Sequence, residues 1–293
     1  YGATSALHDC TLAIPEQHVV ALVGPNGAGK TTLLNLTVGL VQPSSGELAI
    51  LGGYRAGSLA ALDAIAFVAQ DAPLYRNLSA ADLLHETRNL NRRFDQDYAE
   101  HRLGELGIPL DRKAGKMSGG QQAQLELTLA LARRPRLLLL DEPLASLDPI
   151  ARHDFMATVM TAAAEDGVSV LLSSHVLMEL ERVADYLVLV SHGSVRVAGE
   201  VEDLLATHCM LTGSPSESER YRQQWDVVHE SSSASQVRLL VRYDGASNPA
   251  PPGWEGRTVT LEELTMAYLR EPSAGALPGP TRRRAAEPSE MPK

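Results

Sequence analysis

Three groups of residues in this chain have the types and spacing for phosphate chemistry. The segment Gly24-Pro25-Asn26-Gly27-Ala28-Gly29-Lys30-Thr31-Thr32 follows a short apolar run and precedes Leu33, Leu34 and Leu36. A glycine-rich turn between strand and helix, closed by a lysine and a hydroxyl, offers backbone amides to an anion. The loop amides would cradle phosphates, Lys30 would reach the β and γ oxygens, and Thr31 would ligate magnesium. A second group, Asp141-Glu142, ends the apolar run 137–140. Carboxylates at the end of a buried strand are costly unless they serve a site. Asp141 is placed to hold Mg2+, directly or through water, and Glu142 to polarise an attacking water.

The third group is Met117-Ser118-Gly119-Gly120-Gln121. Ser118 and Gln121 have the spacing of a capping box, in which the serine accepts from the N3 amide and the glutamine reaches back to the cap amide. That accounts for the outer residues but not for the glycines between them. Each glycine costs a helix interior about 1 kcal/mol relative to alanine. Glycines at a helix N-terminus make sense where something must approach the backbone, and exposed amides there attract an anion such as a nucleotide phosphate.

Short apolar runs separated by helical periods must position these groups. Val19–Val23 and residues 65–69, 137–140, 168–172, 186–190 and 194–197 have the pattern of short strands, the unbroken run 137–140 being that of a central parallel strand. From Leu78 the period becomes helical. Ser79 as cap, Asp82 at N3 and Leu78 against Leu83 form a complete helix start, and a helical insert is expected over roughly residues 76–135. After about His208 the composition shifts toward Ser, Glu and Gln. Residues 237–243 then alternate loosely and meet Asp244-Gly245, a hairpin signal. Thr260 with Glu263, and Val259 with Leu264, predict another capped helix, which makes a small α+β appendage over residues 209–271. Residues 272–293 have the composition of a disordered tail. The text opens at Tyr1 rather than methionine, and an upstream strand is expected to precede it.

The composition narrows the class. With 293 residues, 44% of them hydrophobic, the chain can hold one large α/β domain and a small appendage. A formal net charge of -10 argues against nonspecific binding of duplex nucleic acid, which needs a positive face. Cys10 and Cys209 are far apart and lack metal-ligand spacing, so a reducing cytosol is expected. No apolar run approaches the roughly 20 residues that span a bilayer. Work at a membrane would therefore go through a partner.

Taken together, Lys30, Gln70, residues 117–121, Asp141-Glu142, Ser146-Leu147-Asp148 and His175 resemble the ATP-binding subunit of an ABC transporter, in order and spacing, over residues 1–208. The resemblance implies an α/β P-loop NTPase (RecA-like) core with a mixed sheet and an inserted helical subdomain. It also implies that Tyr1 stacks on adenine, that Gln70 senses the γ-phosphate and Mg2+ while its loop contacts a transmembrane partner, and that His175 contacts the γ-phosphate and positions water with Glu142. Ser118, Gly119, Gly120 and Gln121 would bind the ATP held by a second subunit, and Asp148 would act across that dimer interface. Two identical subunits meeting head to tail would then form two equivalent composite sites.

The further expectations are a homodimer using ATP and Mg2+ and a separate transmembrane permease. They place the chain in the cytoplasm, on the inner face of the cell membrane. The appendage and the helix near residues 261–269 are similar to those of ABC-2 type exporters, including drug-resistance transporters.

Met117 replaces the usual leucine of the pattern, Gln17 stands where a turn glycine is common, and Ala123 where a more polar residue is frequent. None removes a catalytic group. Three rivals remain. A soluble ABC ATPase acting on ribosomes or DNA usually has two ATPase halves or a long coiled-coil insertion. An ATP sensor that does not hydrolyse fits poorly with an intact Glu142 and His175. A P-loop kinase leaves residues 117–121 without a purpose.

Overall fold

The apolar runs are realised as two main sheets in the computed structural model, which describes residues 5–70, 74–175, 180–233, 235–245, 250–271, 274 and 277. Strand β1 (Val19–Val23) leads through the glycine loop into helix α1 (Lys30–Val38). A small hairpin, β2 (Ala49–Ile50) and β3 (Tyr54–Arg55), and helix α2 (Leu59–Ala64) lead to β4 (Ile65–Val68). The remaining strands of the large sheet are β5 (Leu137–Asp141), β6 (Ser169–Ser174), β7 (Tyr186–Ser191) and β8 (Ser194–Glu200). Their order is β4-β5-β6-β1-β7-β8. All neighbours are parallel except β7 and β8, which form an antiparallel hairpin, so the sheet is mixed.

This order places the site. The strand β1 sits between β6 and β7, with Val23 beside Ser174, while Asp141 at the end of β5 lies beside Ser173. The carboxyl ends of three neighbouring strands therefore open on one edge, where open α/β sheets bind ligands. Successive residues of β1 supply opposite faces. Val19, Ala21 and Val23 join one apolar cluster with Leu138, Leu140 and Phe155, whereas Val20 and Leu22 join another with Leu34 and Val188. Covering both faces explains why the strand runs are continuously apolar.

The expected helical insert contains α3 (Ala80–Leu90), α4 (Gln96–Glu105), a short 3-10 turn (Ala114–Lys116) and α5 (Gly119–Ala132). Their own core includes Leu83, Leu84, Leu103, Met117 and Leu125. The Ser79 capping box forms as predicted: Ser79 Oγ accepts from Asp82 N–H at 3.1 Å, and Asp82 Oδ2 accepts from Ser79 N–H at 2.9 Å. Helix α6 (Pro149–Asp166) then packs beside α5.

After β8 come α7 (Val201–Ala206), β9 (His208–Gly213), α8 (Pro215–Arg222), β10 (Asp226–Ser232), β11 (Val237–Arg242), β12 (Glu255–Thr258) and α9 (Leu261–Arg270). These four strands pair in the order β10-β11-β9-β12. The hairpin expected at Asp244-Gly245 is not formed: β11 is flanked by β10 and β9, and the strand that follows it, β12, pairs with β9 instead. The tight reversal lies earlier, between β10 and β11, where Ser233 N–H donates to Gln236 O at 2.8 Å. The predicted Thr260 capping box is present, and Val259 and Leu264 join the same apolar cluster. That cluster also holds Leu140 and Val170 of the large sheet, so α9 packs onto a core it shares with β5 and β6. The expected tail lies outside the described residues apart from Ala274 and Leu277. The Arg196 guanidinium donates to Ala274 O, and Leu277 N–H donates to Arg196 O, each at 3.0 Å.

Candidate functional site

The glycine loop is built so that its lysine turns back over it. Gly29, the cap of α1, has φ 108, and Gly27 has φ 80, a region that favours glycine. A Cβ added at Gly27 would meet nothing within 4 Å, so the loop is open on that side. Lys30 is only 6% exposed, and its Nζ donates to Gly24 O at 2.7 Å. Pro25, Asn26, Gly27 and Thr31 are exposed, Thr32 is half-buried, and Gly24 and Ala28 are buried. Ala28 N–H closes the turn onto Pro25 O, and Ala28 O accepts from Gly193 N–H, which ties the loop to the turn between β7 and β8.

Opposite this loop, β5 delivers two carboxylates with different surroundings. Asp141 is 1% exposed, and its Oδ1 accepts from Ser173 Oγ at 2.6 Å. The same Ser173 oxygen accepts from Glu142 N–H at 2.9 Å. Glu142 has φ 50, a left-handed conformation costing a residue with a Cβ about 1–2 kcal/mol. The distortion turns its side chain into the site. Glu142 Oε1 lies 3.3 Å from Lys30 Nζ, and Oε2 lies 2.7 Å from His175 Nδ1 and 3.3 Å from His175 N. A carboxylate only accepts, so Nδ1 carries the proton, which leaves Nε2 of the exposed imidazole as an acceptor.

The structure thus brings together Lys30, Asp141, Glu142 and His175. Ser173 was missed in the sequence. It bonds to both carboxylate-bearing residues across a strand boundary, and its only sequence signal was a pair of serines ending an apolar strand. Gln70 is exposed, two positions beyond Val68, which pairs with Leu140, so its chain position is level with Glu142. Among the described residues it makes no hydrogen bond to Asp141 or Glu142. Tyr1 lies outside the described residues.

The segment 117–121 forms the predicted cap. Ser118 Oγ accepts from Gln121 N–H, and Gln121 Oε1 from Ser118 N–H, both at 3.2 Å. Gln122 Nε2 pins the preceding turn by donating to Ala114 O and Met117 O at 3.1 Å each. The two glycines differ. A Cβ at Gly119 would meet nothing within 4 Å, whereas one at Gly120 would lie 2.9 Å from Ala151 Cβ on α6. Close packing inside this chain thus accounts for Gly120, a reason the sequence reading lacked; nothing inside the described chain accounts for Gly119. Ser118 and Gly119 are exposed and make no hydrogen bond to their own glycine loop among the described residues. Asp148 caps α6, its Oδ1 accepting from Ile150 and Ala151 N–H at 3.0 Å each, and is itself exposed.

Mg2+ is held by few protein groups and mainly by phosphate oxygens and water. Exposed Thr31 at the start of α1 and the Asp141 carboxylate at the end of β5, which opens on the same edge of the sheet, fit such a donor set. No cluster of three or more His, Cys, Asp or Glu that could hold a metal occurs among the described residues.

The sequence model of the family described as "ABC transporter" matches residues 7–145. The high-affinity branched-chain amino acid transport ATP-binding protein BraF of Pseudomonas aeruginosa is 30% identical over 227 residues, covering 70% of this chain and 89% of that protein. The thiamine import ATP-binding protein ThiQ of Salmonella typhimurium is 31% identical over 202 residues, covering 67% and 86%. A solved dimeric ATP-binding cassette in a post-hydrolysis state, bound to ADP and Pi, is 25% identical with a TM-score of 0.59, covering 67% of this chain and 90% of that one.

Proposed function

The chain belongs to the ATP-binding subunits of ABC transporters and is an ATPase, and on that premise we propose how it uses ATP. The carrying observation is the Glu142 carboxylate held between Lys30 Nζ and His175 Nδ1 at the mouth of the glycine loop. Free backbone amides of the loop between Asn26 and Thr32 hold the ATP phosphates and Lys30 reaches the β and γ oxygens. Glu142 takes a proton from the attacking water, and His175 fixes the carboxylate that does so; in the imidazolium form, with both ring nitrogens protonated, its Nε2 would also donate to the γ-phosphate. Thr31, Gln70 and Asp141 would hold Mg2+, which offsets phosphate charge when bound. Tyr1 is the proposed adenine contact.

Ser118, Gly119, Gly120 and Gln121 act on the ATP of a second copy, and Asp148 lies at that junction. Supporting this are the open backbone at Gly119 and the dimeric form of the solved relative. In this reading residues 1–208 form the ATPase unit, 76–135 its helical subdomain and 209–271 an appendage. A separate transmembrane permease receives the work and holds the chain at the inner face of the membrane. No helix among the described residues is long and apolar enough to cross a membrane, which supports a separate partner. Relatives of this chain include a thiamine import protein, so direction does not follow from the family. We assign export, of the ABC-2 type, on the four-stranded C-terminal sheet and its capped helix α9.

A mixing experiment tests the shared site. Ser118→Ala and Lys30→Ala subunits should each be inactive as homodimers, whereas their mixture should contain one intact composite site. ATPase activity reappearing on mixing supports the assignment. Activity that stays at the level of either variant alone contradicts it.

A further inference from the structure

Three helices meet at one buried hydroxyl. Thr158 of α6 is 5% exposed, and its Oγ1 accepts from the Arg102 guanidinium of α4. The single hydroxyl proton faces Asp154 O at 3.0 Å and Oε1 of Gln124, on α5, at 3.4 Å. Gln124 is buried as deeply. A second bridge ties the two outer helices: Arg134 donates to Asp95 Oδ2 at 2.9 Å and 3.1 Å, and to Asp166 Oδ1 at 3.3 Å. Asp95 caps α4 and Asp166 ends α6. At about 1.5 Å of rise per residue, the two bridges stand about 10 Å apart on α4 and about 12 Å apart on α6. Helix α4 is therefore braced across α6 rather than pinned at a point.

Stability alone does not explain the buried contact. Among the described residues, Gln124 Nε2 and Arg102 Nε find no acceptor. A buried donor left unmet is destabilising, and apolar residues of the same shape would remove that cost. What a buried polar contact adds is register, since one hydroxyl and one carboxamide meet at only one offset between two helices. Here the offset has a use. Ser118 caps α5, Asp148 caps α6, and Gly120 packs against Ala151 close to both helix starts. Sliding α5 along α6 would move Ser118 relative to Asp148.

We propose that Arg102, Gln124 and Thr158 are positioning residues for the composite site. Their contact fixes α5 against α6, so that Ser118, Gly119 and Asp148 reach the second copy together. The assignment rests on the shared-site reading above and adds which residues outside the segment 117–121 set its geometry. They act through the two helices, not on the reacting atoms.

The test places one change in either half of the mixed pair. When Lys30→Ala and Ser118→Ala subunits combine, the working site takes its glycine loop from the Ser118→Ala subunit and its Ser118 from the Lys30→Ala subunit. Thr158→Val removes the hydroxyl. Carried by the Lys30→Ala subunit, it should lower kcat of the mixture by about tenfold or more; carried by the Ser118→Ala subunit, by less than about threefold. Thr158→Ser keeps the hydroxyl and, in the first placement, should hold kcat within about threefold of the unchanged mixture. If Thr158→Val does not fold, Arg102→Met removes another arm of the same contact and is read in the same way. Equal losses in the two placements, no loss in either, or a Ser variant as impaired as the Val variant overturns the proposal while leaving the shared site intact. A mixture of Lys30→Ala and Ser118→Ala subunits that stays inactive with Thr158 unchanged overturns the shared-site reading and this proposal together.

Discussion

The Nδ1 atom of His175 lies 2.7 Å from Oε2 of Glu142, although the two residues end different strands of the sheet. The contact fixes the imidazole tautomer and holds the carboxylate where Lys30 approaches its other oxygen. Removing it should therefore slow chemistry more than binding. For His175→Ala we expect kcat to fall by about 10²-fold or more, with KM for ATP changed by less than about threefold. Steady-state ATPase kinetics decide this; a raised KM with unchanged kcat would make His175 a binding residue only.

The glycines after Ser118 should separate stability from assembly. Gly120→Ala forces a methyl to 2.9 Å from Ala151 Cβ and should destabilise the isolated subunit by about 1–3 kcal/mol. Gly119→Ala has open space and gains helix propensity, so the isolated fold should keep or gain about 0.5–1 kcal/mol. Yet Gly119→Ala should weaken ATP-driven dimerisation, because its methyl enters the space kept for the second subunit's nucleotide. Urea unfolding and size-exclusion with ATP measure the two effects. A Gly119 variant that dimerises normally would remove the reason given for that residue.

The parts of the fold set by neighbours in sequence were legible. The glycine loop, the Ser79, Ser118 and Thr260 boxes and the apolar strands each depend on spacing within a few residues, and each is found where expected. What escaped depends on residues far apart. Asp244-Gly245 has hairpin chemistry, but β9, nearly thirty residues earlier, takes the pairing edge of β11 that a hairpin would have used. The reason for Gly120 needs α6 beside α5, and the role of Ser173 needs β6 beside β5. Strands β9 and β10 carry polar residues between buried ones, so their pattern merged with a Ser- and Glu-rich stretch.

Stability should carry a pH signature at Glu126. Its carboxyl lies at about 7 in the fold, above the ordinary 4.5, chiefly through burial. The folded state thus binds more protons than the unfolded state between these values, and stability falls as pH rises through them. The loss is about 2 kcal/mol after allowance for partial solvent screening. Glu126→Gln, which stays neutral, should be more stable than wild type at pH 8 and nearly equal to it at pH 4.5. Denaturant midpoints at the two pH values check this; an equal difference at both would place the effect elsewhere.

His208 is 1% exposed, with Nδ1 2.7 Å from Leu204 O and Nε2 2.9 Å from Tyr268 Oη. Facing a carbonyl, Nδ1 carries the proton, and Nε2 accepts from the Tyr268 hydroxyl. Burial lowers His208 below its ordinary 6.5, so its contribution is present above pH 6.5 and is lost as pH falls below it. Tyr268→Phe leaves Nε2 buried without a donor and should cost about 1–3 kcal/mol at pH 7.5. Urea unfolding at that pH tests the bond, and an unchanged midpoint would mean that it contributes nothing net.

The central claim is that Glu142 is the base of an ATPase completed by a second copy of the chain. Its most direct test is Glu142→Gln, with turnover and particle mass measured in Mg-ATP. The account predicts that hydrolysis is lost while ATP remains bound in a stable dimer. Unchanged turnover, or a variant that stays monomeric with ATP bound, would contradict it.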